Sequence, residues 1–331
     1  MSQRPESKHE VGADLARVIE RLARTDHVAL ACHVNPDGDA LGSMLGFFHA
    51  WTASGRTAVA SFSEPFITAT HYRDVPGLEL LTHPTEFPAA PDVMMTFDCG
   101  SRGRLGDLES AASAAGELIV LDHHLSNSRY GTINVIDADS PATAAVVLEV
   151  LDGLGIPLTR DAALCLYIGL VCDTGRFQYE ATTSETFRTA QRLMEFNLPL
   201  ADIGRHLFDE HRFAYLQMLG EVLARMQLLP EVQLVWAAIP AKVQHKHGVA
   251  FEELEGAIDV VRSAAEAQVA CVLKEDALGL WRGSMRSVGS VDVSAVAALF
   301  GGGGHRFAAG FTSTDSPAVI IERVRMALAS A

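Results

Sequence analysis

Three short runs in the first half of the chain constrain the fold most: residues 27–34 (HVALACHV), 93–98 (VMMTFD) and 117–122 (ELIVLD). Each is apolar without polar/apolar alternation, so each has to be covered on both faces. Together with 57–62 they alternate with stretches of helical spacing, such as 40–51 through Leu41, Leu45, Phe48 and Trp51. Strands buried on both faces and alternating with helices predict a parallel sheet flanked by helices, an α/β domain. Ser140-Pro141-Ala142-Thr143 predicts a further helix start, with Ser140 as N-cap and Pro141 in the first turn. A helix-rich stretch is expected from Arg160 to about Phe196. The pattern breaks at 197–199, and 201–227 reads as one or two connecting helices. Beyond Pro230 the expected strands are 232–239, 267–273 and 278–286, followed by a helix over 294–300 that 301–304 (GGGG) interrupts. The expected organisation is a domain at 15–195, a helical linker at 196–229 and a smaller α/β domain at 230–331.

Acids and histidines gather at the ends of these elements. His33-Val34-Asn35-Pro36-Asp37-Gly38-Asp39 follows the first strand, Asp98 ends the second run and Asp122-His123-His124 the third, while Asp173 ends an apolar helix. Carboxyl ends of parallel strands line the ligand crevice of an open sheet, so the first three groups should converge. Taken singly, NPDGD reads equally as a turn with an N-capping Asp, Asp98 as a cap or turn residue, and adjacent histidines as surface or core residues. Jointly, buried carboxylates at the margin of an apolar core need a cation or hydrogen-bond partners. Carboxylate and imidazole without thiolate suit Mn²⁺ first, Mg²⁺ or Zn²⁺ next. Seven candidates (His33, Asp37, Asp39, Asp98, His123, His124, Asp173) exceed the needs of one ion. A pair of ions would activate a water and neutralise charge on a phosphoryl group.

A second candidate is Gly301-Gly302-Gly303-Gly304-His305-Arg306, where glycine backbone allows a phosphate to approach and successive N–H groups can form an anion nest; a plain flexible loop is the other reading. The Lys-Ser/Thr ending of a P-loop is absent. Arg286 reads equally as a further phosphate clamp or as a solvated arginine at a strand end.

Composition narrows the function classes. With 48% hydrophobic and 20% charged residues, the chain can bury cores of about two domains. A formal net charge of −15 excludes a broadly basic surface that coats long nucleic acid, although a metal can reverse the sign at one site. Residues 1–15 lack an apolar h-region, and the longest apolar stretch, about 162–172, falls short of the ~18–20 residues of a membrane span. Five scattered cysteines with no C-x-x-C pair read as reduced, so a cytoplasmic protein is expected.

In order along the chain, HVNPDGDALGS, FDCG, LDHH, GLVCDTGRF and GGGGHRFAAG resemble the motifs of the DHH phosphoesterase superfamily with a DHHA1 carboxy-terminal domain, over about residues 15–330. The pattern fits the compact bacterial branch of nano-RNase/pAp phosphatases. RecJ-type exonucleases, membrane-bound cyclic-di-AMP phosphodiesterases and family-II pyrophosphatases share parts of it with other domains. The resemblance implies a DHH domain with a mostly parallel sheet, a DHHA1 domain and an active site in the cleft between them. It implies two Mn²⁺ ions, with Mg²⁺ or another divalent ion as substitute: one held by His33 and Asp37, the other by Asp39, His123 and Asp173, with Asp98 bridging. Asp122 would orient a ligand histidine and His124 would face the scissile phosphate. Arg104, Arg286, Gly303, Gly304 and His305 would bind the nucleotide or phosphate end of the substrate. Implied substrates are oligoribonucleotides of two to about five residues, including pApA, and 3′-phosphoadenosine 5′-phosphate (pAp). A cyclic-dinucleotide phosphodiesterase is the alternative, and a non-catalytic nucleotide sensor the alternative of another class. No membrane or long duplex partner is expected; a homodimer is.

Overall fold

In the computed structural model, which describes residues 8–289 and 291–329, the apolar runs become neighbouring strands. Strands β1 (His27–Cys32), β2 (Thr57–Ser61), β3 (Val93–Phe97), β4 (Glu117–Asp122) and β5 (Ile133–Ile136) form one sheet in the order β2-β1-β3-β4-β5. All four pairings are parallel, as the missing alternation requires. Helices α1 (Lys8–Leu22), α2 (Gly38–Ala53), α3 (Glu109–Ala114), α4 (Thr143–Gly153), α5 (Arg160–Asp173) and α6 (Ser184–Met194) belong to the same unit, Met1–Leu207. On one face of the sheet Ala29, Ala31, Met94 and Leu118 pack with Leu105, Leu108 and Ala111 from α3 and the 3₁₀ turn before it. On the other, Phe97 meets Phe47 of α2 at 5.7 Å between ring centroids, and Phe47 stacks on Trp51.

The strand order places the site. From β1 the chain steps to one side for β2 and to the other for β3, so the order reverses between β1 and β3. The crevice of such a sheet opens outside the carboxyl ends of those two strands. His33 and Asp98 are the residues that immediately follow them.

Helices α2, α4 and α5 close over this end through glycines. A Cβ at Gly42 would lie 2.4 Å from the Cys165 carbonyl oxygen and 2.8 Å from the Gly169 nitrogen. A Cβ at Gly169 would lie 2.7 Å from an Asp39 carboxylate oxygen. Neither contact can yield without moving backbone or a candidate ligand.

Several local expectations shift. Helix α4 begins at Thr143 with Ala142 at its N-cap, so Ser140 is not the cap and Pro141 is not in the first turn. The Ser140 hydroxyl donates to the Ala142 carbonyl, and the amides of Thr143 and Ala144 donate instead to the Asp39 carboxylate. The cap thus comes from another helix, which local sequence does not reveal. The connecting stretch holds α7 (Leu200–Gly204), a π-helical turn at Arg205–Asp209 and α8 (Phe213–Leu223).

The second unit, Phe208–Ala331, is built on a six-stranded sheet. Its strands β6 (Gln227–Leu229), β7 (Leu234–Ile239), β8 (Val269–Glu275), β9 (Trp281–Ser287), β10 (Gly303–His305) and β11 (Ala308–Ser313) lie in the order β10-β11-β9-β8-β7-β6. Only β7 and β8 pair parallel. Residues 230–232 form a 3₁₀ turn, and β9 starts later than expected because the Asp276 carboxylate accepts from the amides of Leu278 and Leu280 in a tight turn. Helices α9 (Ala241–His247) and α10 (Ala257–Val261) pack with α8 on one face, and α11 (Val293–Ala298) and α12 (Pro317–Ala329) cover the other. Among the described residues, no helix is long and apolar enough to cross a membrane.

Because the α2–α5 contact is backbone against backbone, Gly42→Ala is expected to lower stability by about 1–3 kcal/mol, the usual range for overpacking. Urea unfolding checks this; an unchanged midpoint would show that the helices separate at no cost.

Candidate functional site

The groups expected to converge do so. His33, Asp37 and Asp98 present donor atoms within 4.8 Å of one another, as do Asp39, His123 and Asp173, and as do Asp98, His123 and His124. Asp98 belongs to both sides: Oδ2 lies 3.6 Å from His33 Nε2, and Oδ1 lies 3.7 Å from His123 Nε2. His33 Nε2 is also 3.8 Å from Asp37, while His123 Nε2 is 3.0 Å from Asp173 and 3.9 Å from Asp39. Most of these separations exceed hydrogen-bonding reach yet are short enough for the groups to share small cations.

Each donor is oriented by its surroundings. Asp37 unites the two readings of NPDGD: Oδ1 caps α2 by accepting from the amides of Asp39 and Ala40, while Oδ2 faces His33. Asp39, buried in the first turn of α2, accepts from Thr143 N at 2.6 Å, Ala144 N at 3.0 Å and the Ser43 hydroxyl at 3.0 Å. Asp98 follows β3 at φ +53°, a left-handed conformation that strains a non-glycine residue. Its Oδ1 accepts from the Thr143 hydroxyl at 3.0 Å. Asp173 ends α5, where the helix dipole disfavours an anion, a placement that stability alone does not select.

The imidazoles are set by their Nδ1 atoms. His33 Nδ1 is 2.9 Å from the Val34 carbonyl and His123 Nδ1 is 3.1 Å from the Ser140 carbonyl. A ring that donates from Nδ1 turns a lone pair on Nε2 toward the carboxylates, the tautomer of a metal ligand. Arg104 also reaches His33 Nδ1, at 3.1 Å, but a guanidinium only donates, so both contacts cannot be hydrogen bonds at once. With Nδ1–H on Val34, Arg104 stands beside His33 as a cation. Its backbone oxygen meanwhile accepts from Val34 N, which fixes this arginine at the mouth of the site.

Electrostatics make the same point. Burial pushes the Asp39 carboxyl well above the usual range, and the charges of Asp98 and Asp173 add to it. Burial also acts against charge on Asp98, but His124 and His33 hold its pKa well below the ordinary value. For His33, burial and Arg104 work against protonation, yet the facing carboxylates of Asp37 and Asp98 raise its pKa to about 9. For His123 burial is likewise outweighed, by Asp173 above all, and the pKa rises to about 10. Crowded carboxylates thus hold protons on the imidazoles, and a divalent cation can take the place of those protons. The donor set of oxygen and imidazole nitrogen suits such an ion.

Asp122 stands apart from the donor clusters. It is fully buried, and its Oδ1 accepts from His123 N, His124 N and His124 Nδ1, the last at 2.8 Å. Sequence reasoning missed Ser43, Thr143 and Asn127, which support Asp39, Asp98 and Asp122. None of the three carries a local signal of that role, since Asn127 reads as an ordinary turn asparagine after LDHH.

A second group lies in the other unit. Arg286 on β9 is in register with Ala308, which also pairs with His305, so the three backbone positions form one row across the sheet. The Arg286 Nε atom is buried with no hydrogen-bond partner. The side chain of His305 lies outside the described part of the structure. Gly303 has open space where a Cβ would be, and Gly304, at φ +141°, would bring a Cβ within 2.5 Å of the Ala308 oxygen. Gly301 and Gly302 do not form the expected nest, because their amides close α11 on the carbonyls of Ala298 and Ala297.

The raised imidazole pKa values give a sign. Both histidines are protonated at neutral pH without metal and must be neutral to ligate, so Mn²⁺ binding should release protons and strengthen between about pH 6 and 9. Calorimetry in buffers of different ionisation enthalpy reads this; pH-independent binding without proton release would show that these rings are not ligands.

Comparison with known proteins identifies the family. Residues 27–170 match the DHH family, N-terminal domain, and residues 232–330 match the DHHA1 domain. The chain is 31% identical over 288 residues to a Thermus thermophilus protein named bifunctional oligoribonuclease and PAP phosphatase NrnA, covering 86% of this chain and 83% of that one. A Streptococcus mutans protein named as a probable bifunctional oligoribonuclease and PAP phosphatase is 25% identical over 301 residues, 89% of this chain and 92% of its own. Among solved structures, an exopolyphosphatase-related protein from Bacteroides fragilis superposes with a TM-score of 0.84 at 23% identity, over 98% of this chain and 96% of that chain, a likeness of fold. The chain is therefore a phosphoric ester hydrolase and belongs to the DHH family, in the group that carries a DHHA1 domain.

Proposed function

We propose that the chain is a Mn²⁺-dependent cytoplasmic hydrolase that cleaves short oligoribonucleotides, pApA included, to nucleoside 5′-monophosphates and converts pAp to AMP. The observation that carries this reading is the sharing of Asp98 between two donor clusters, His33 with Asp37 and Asp39 with His123 and Asp173. In the proposal the first pair holds one ion and the second trio the other. Two such ions, when bound, lower the pKa of water and offset charge on the phosphoryl group. His124, anchored through Nδ1 to Asp122, presents Nε2 to the leaving oxygen and protonates it. Arg104 contributes a cation beside His33 for a non-bridging phosphate oxygen. Arg286, Gly303, Gly304 and His305 bind a phosphate or nucleotide group of the substrate; the buried, unpartnered Nε of Arg286 supports a role in anion binding. The substrate classes are those in the names of the relatives from Thermus thermophilus and Streptococcus mutans.

The test is AMP release by metal-stripped protein resupplied with Mn²⁺, using pAp, pApA, cyclic di-AMP and a ~20-nucleotide RNA, with an EDTA control. Release from pAp and pApA, abolished by EDTA and with the long RNA spared, is the expected result. Preferential attack on intact cyclic di-AMP would replace this reading with that of a cyclic-dinucleotide phosphodiesterase. In the same assay Asp98→Ala should lower kcat at least ~10²-fold while the protein stays folded by circular dichroism. Undiminished turnover in this variant would rule out the shared-ligand assignment.

A further inference from the structure

Asn127 is 1% exposed and has no place in the donor clusters, yet its amide touches both halves of the site. Nδ2 donates to Asp122 Oδ2 and to the Cys99 carbonyl, the residue after Asp98. Its Oδ1 accepts from Arg129 N, and its own N–H donates to the His124 carbonyl. The neighbouring Ser128 amide donates to the Gly100 carbonyl. One side chain therefore ties the turn after β3, which carries Asp98, to the end of β4 and the turn beyond it, which carry Asp122, His123 and His124.

This tie settles a competition. His124 Nδ1 lies between two carboxylates, 2.8 Å from Asp122 Oδ1 and 3.4 Å from Asp98 Oδ1. The amides of His123 and His124 hold Asp122 Oδ1 from one side and Asn127 holds Oδ2 from the other, so the carboxylate plane is set with Oδ1 aimed at the ring. Without the amide, His124 can turn toward Asp98, drawing a hydrogen bond from an oxygen needed between the two clusters and swinging Nε2 away from its task.

We propose that Asn127 is a positioning residue for the hydrolytic step, acting through Asp122 to hold His124 on Asp122 and off Asp98. This rests on the reading of His124 as proton donor to the leaving group. In that step water oxygen bonds to phosphorus and loses a proton to solvent. The P–O bond to the leaving group breaks, its electron pair stays on the leaving oxygen, and that oxygen takes the proton from His124 Nε2.

The decisive readout is sensitivity to the leaving group, which a merely structural residue would not alter. Wild type, Asn127→Ala and His124→Ala are compared at saturating Mn²⁺ on pApA, whose departing ribose oxygen needs a proton, and on the p-nitrophenyl ester of thymidine 5′-monophosphate, whose phenolate does not. Asn127→Ala should lower kcat on pApA about 10–100-fold with little change in KM, and change the nitrophenyl ester by less than about threefold. Added to His124→Ala it should cost nothing further, since both act on one function. Equal losses on both esters, or a full additional loss in the His124→Ala background, would overturn the proposal. If Asn127→Ala does not fold, Asn127→Ser, too short to span Asp122 and Cys99 together, is read by the same ratio of the two esters. A wild type active on both esters beside an unimpaired Asn127→Ala overturns the role of Asn127 alone. A His124→Ala enzyme with undiminished kcat on pApA overturns the reading of His124 beneath it, and with it this proposal.

Discussion

The capture of the Asp39 carboxylate by the first amides of α4 is the contact on which the site depends. A buried anion in the first turn of one helix has little reason to be tolerated unless something offsets its charge. Here a second helix N-terminus does so, with a hydroxyl from Ser43. Because α4 and α5 meet α2 at this residue, with Gly169 allowing α5 to approach it, the carboxylate is a structural joint as well as a candidate ligand. Thr143, whose amide serves Asp39, sends its hydroxyl to Asp98. The helix layer and the sheet are therefore registered to each other through two acids that share one threonine.

The histidines depend on that frame in turn. The carbonyls of Val34 and Ser140 determine which nitrogen of His33 and His123 faces inward. Asp122 does for His124 what a backbone carbonyl does for the other two, but with a charge. That difference divides the imidazoles by task. In the proposed function two of them ligate, and the third, backed by an anion, is held in its charged form as a proton donor is; Asp122 is foremost among the groups that raise its pKa against burial.

Much of this was legible because the fold writes its site at strand ends. Uniform apolar runs imply a parallel sheet, a parallel sheet implies a crevice at its carboxyl edge, and His33, Asp98 and Asp122 stand at that edge. What escaped were interactions between distant segments. Ser140 has the chemistry of an N-cap, but Asp39, 104 residues from Thr143, takes the role, and no local window contains both. Asn127 looks like any turn asparagine until Cys99, 28 residues earlier, is seen under its amide. The glycine run failed as a nest for the opposite reason: a helix end claims the nearest free amides first, and α11 ends there.

Backbone strain is one of the features of this edge. Asn35 and Asp98, just beyond the two strands that flank the switch point, both hold φ near +50°. Each costs on the order of 1 kcal/mol, more than a surface turn needs when glycine is available. At Asp98 the left-handed turn bends the chain off β3 while its amide still bonds the Leu121 carbonyl, so the carboxylate is delivered from a backbone that the sheet holds rigid. The sheet beneath, with Ala29, Ala31, Met94, Met95 and Phe97 wholly buried, supplies far more stability than the two turns withdraw. A rigid apolar floor and a strained polar rim are thus two parts of one device: the floor makes the strain tolerable, and the strain places Asp98 where both clusters can use it.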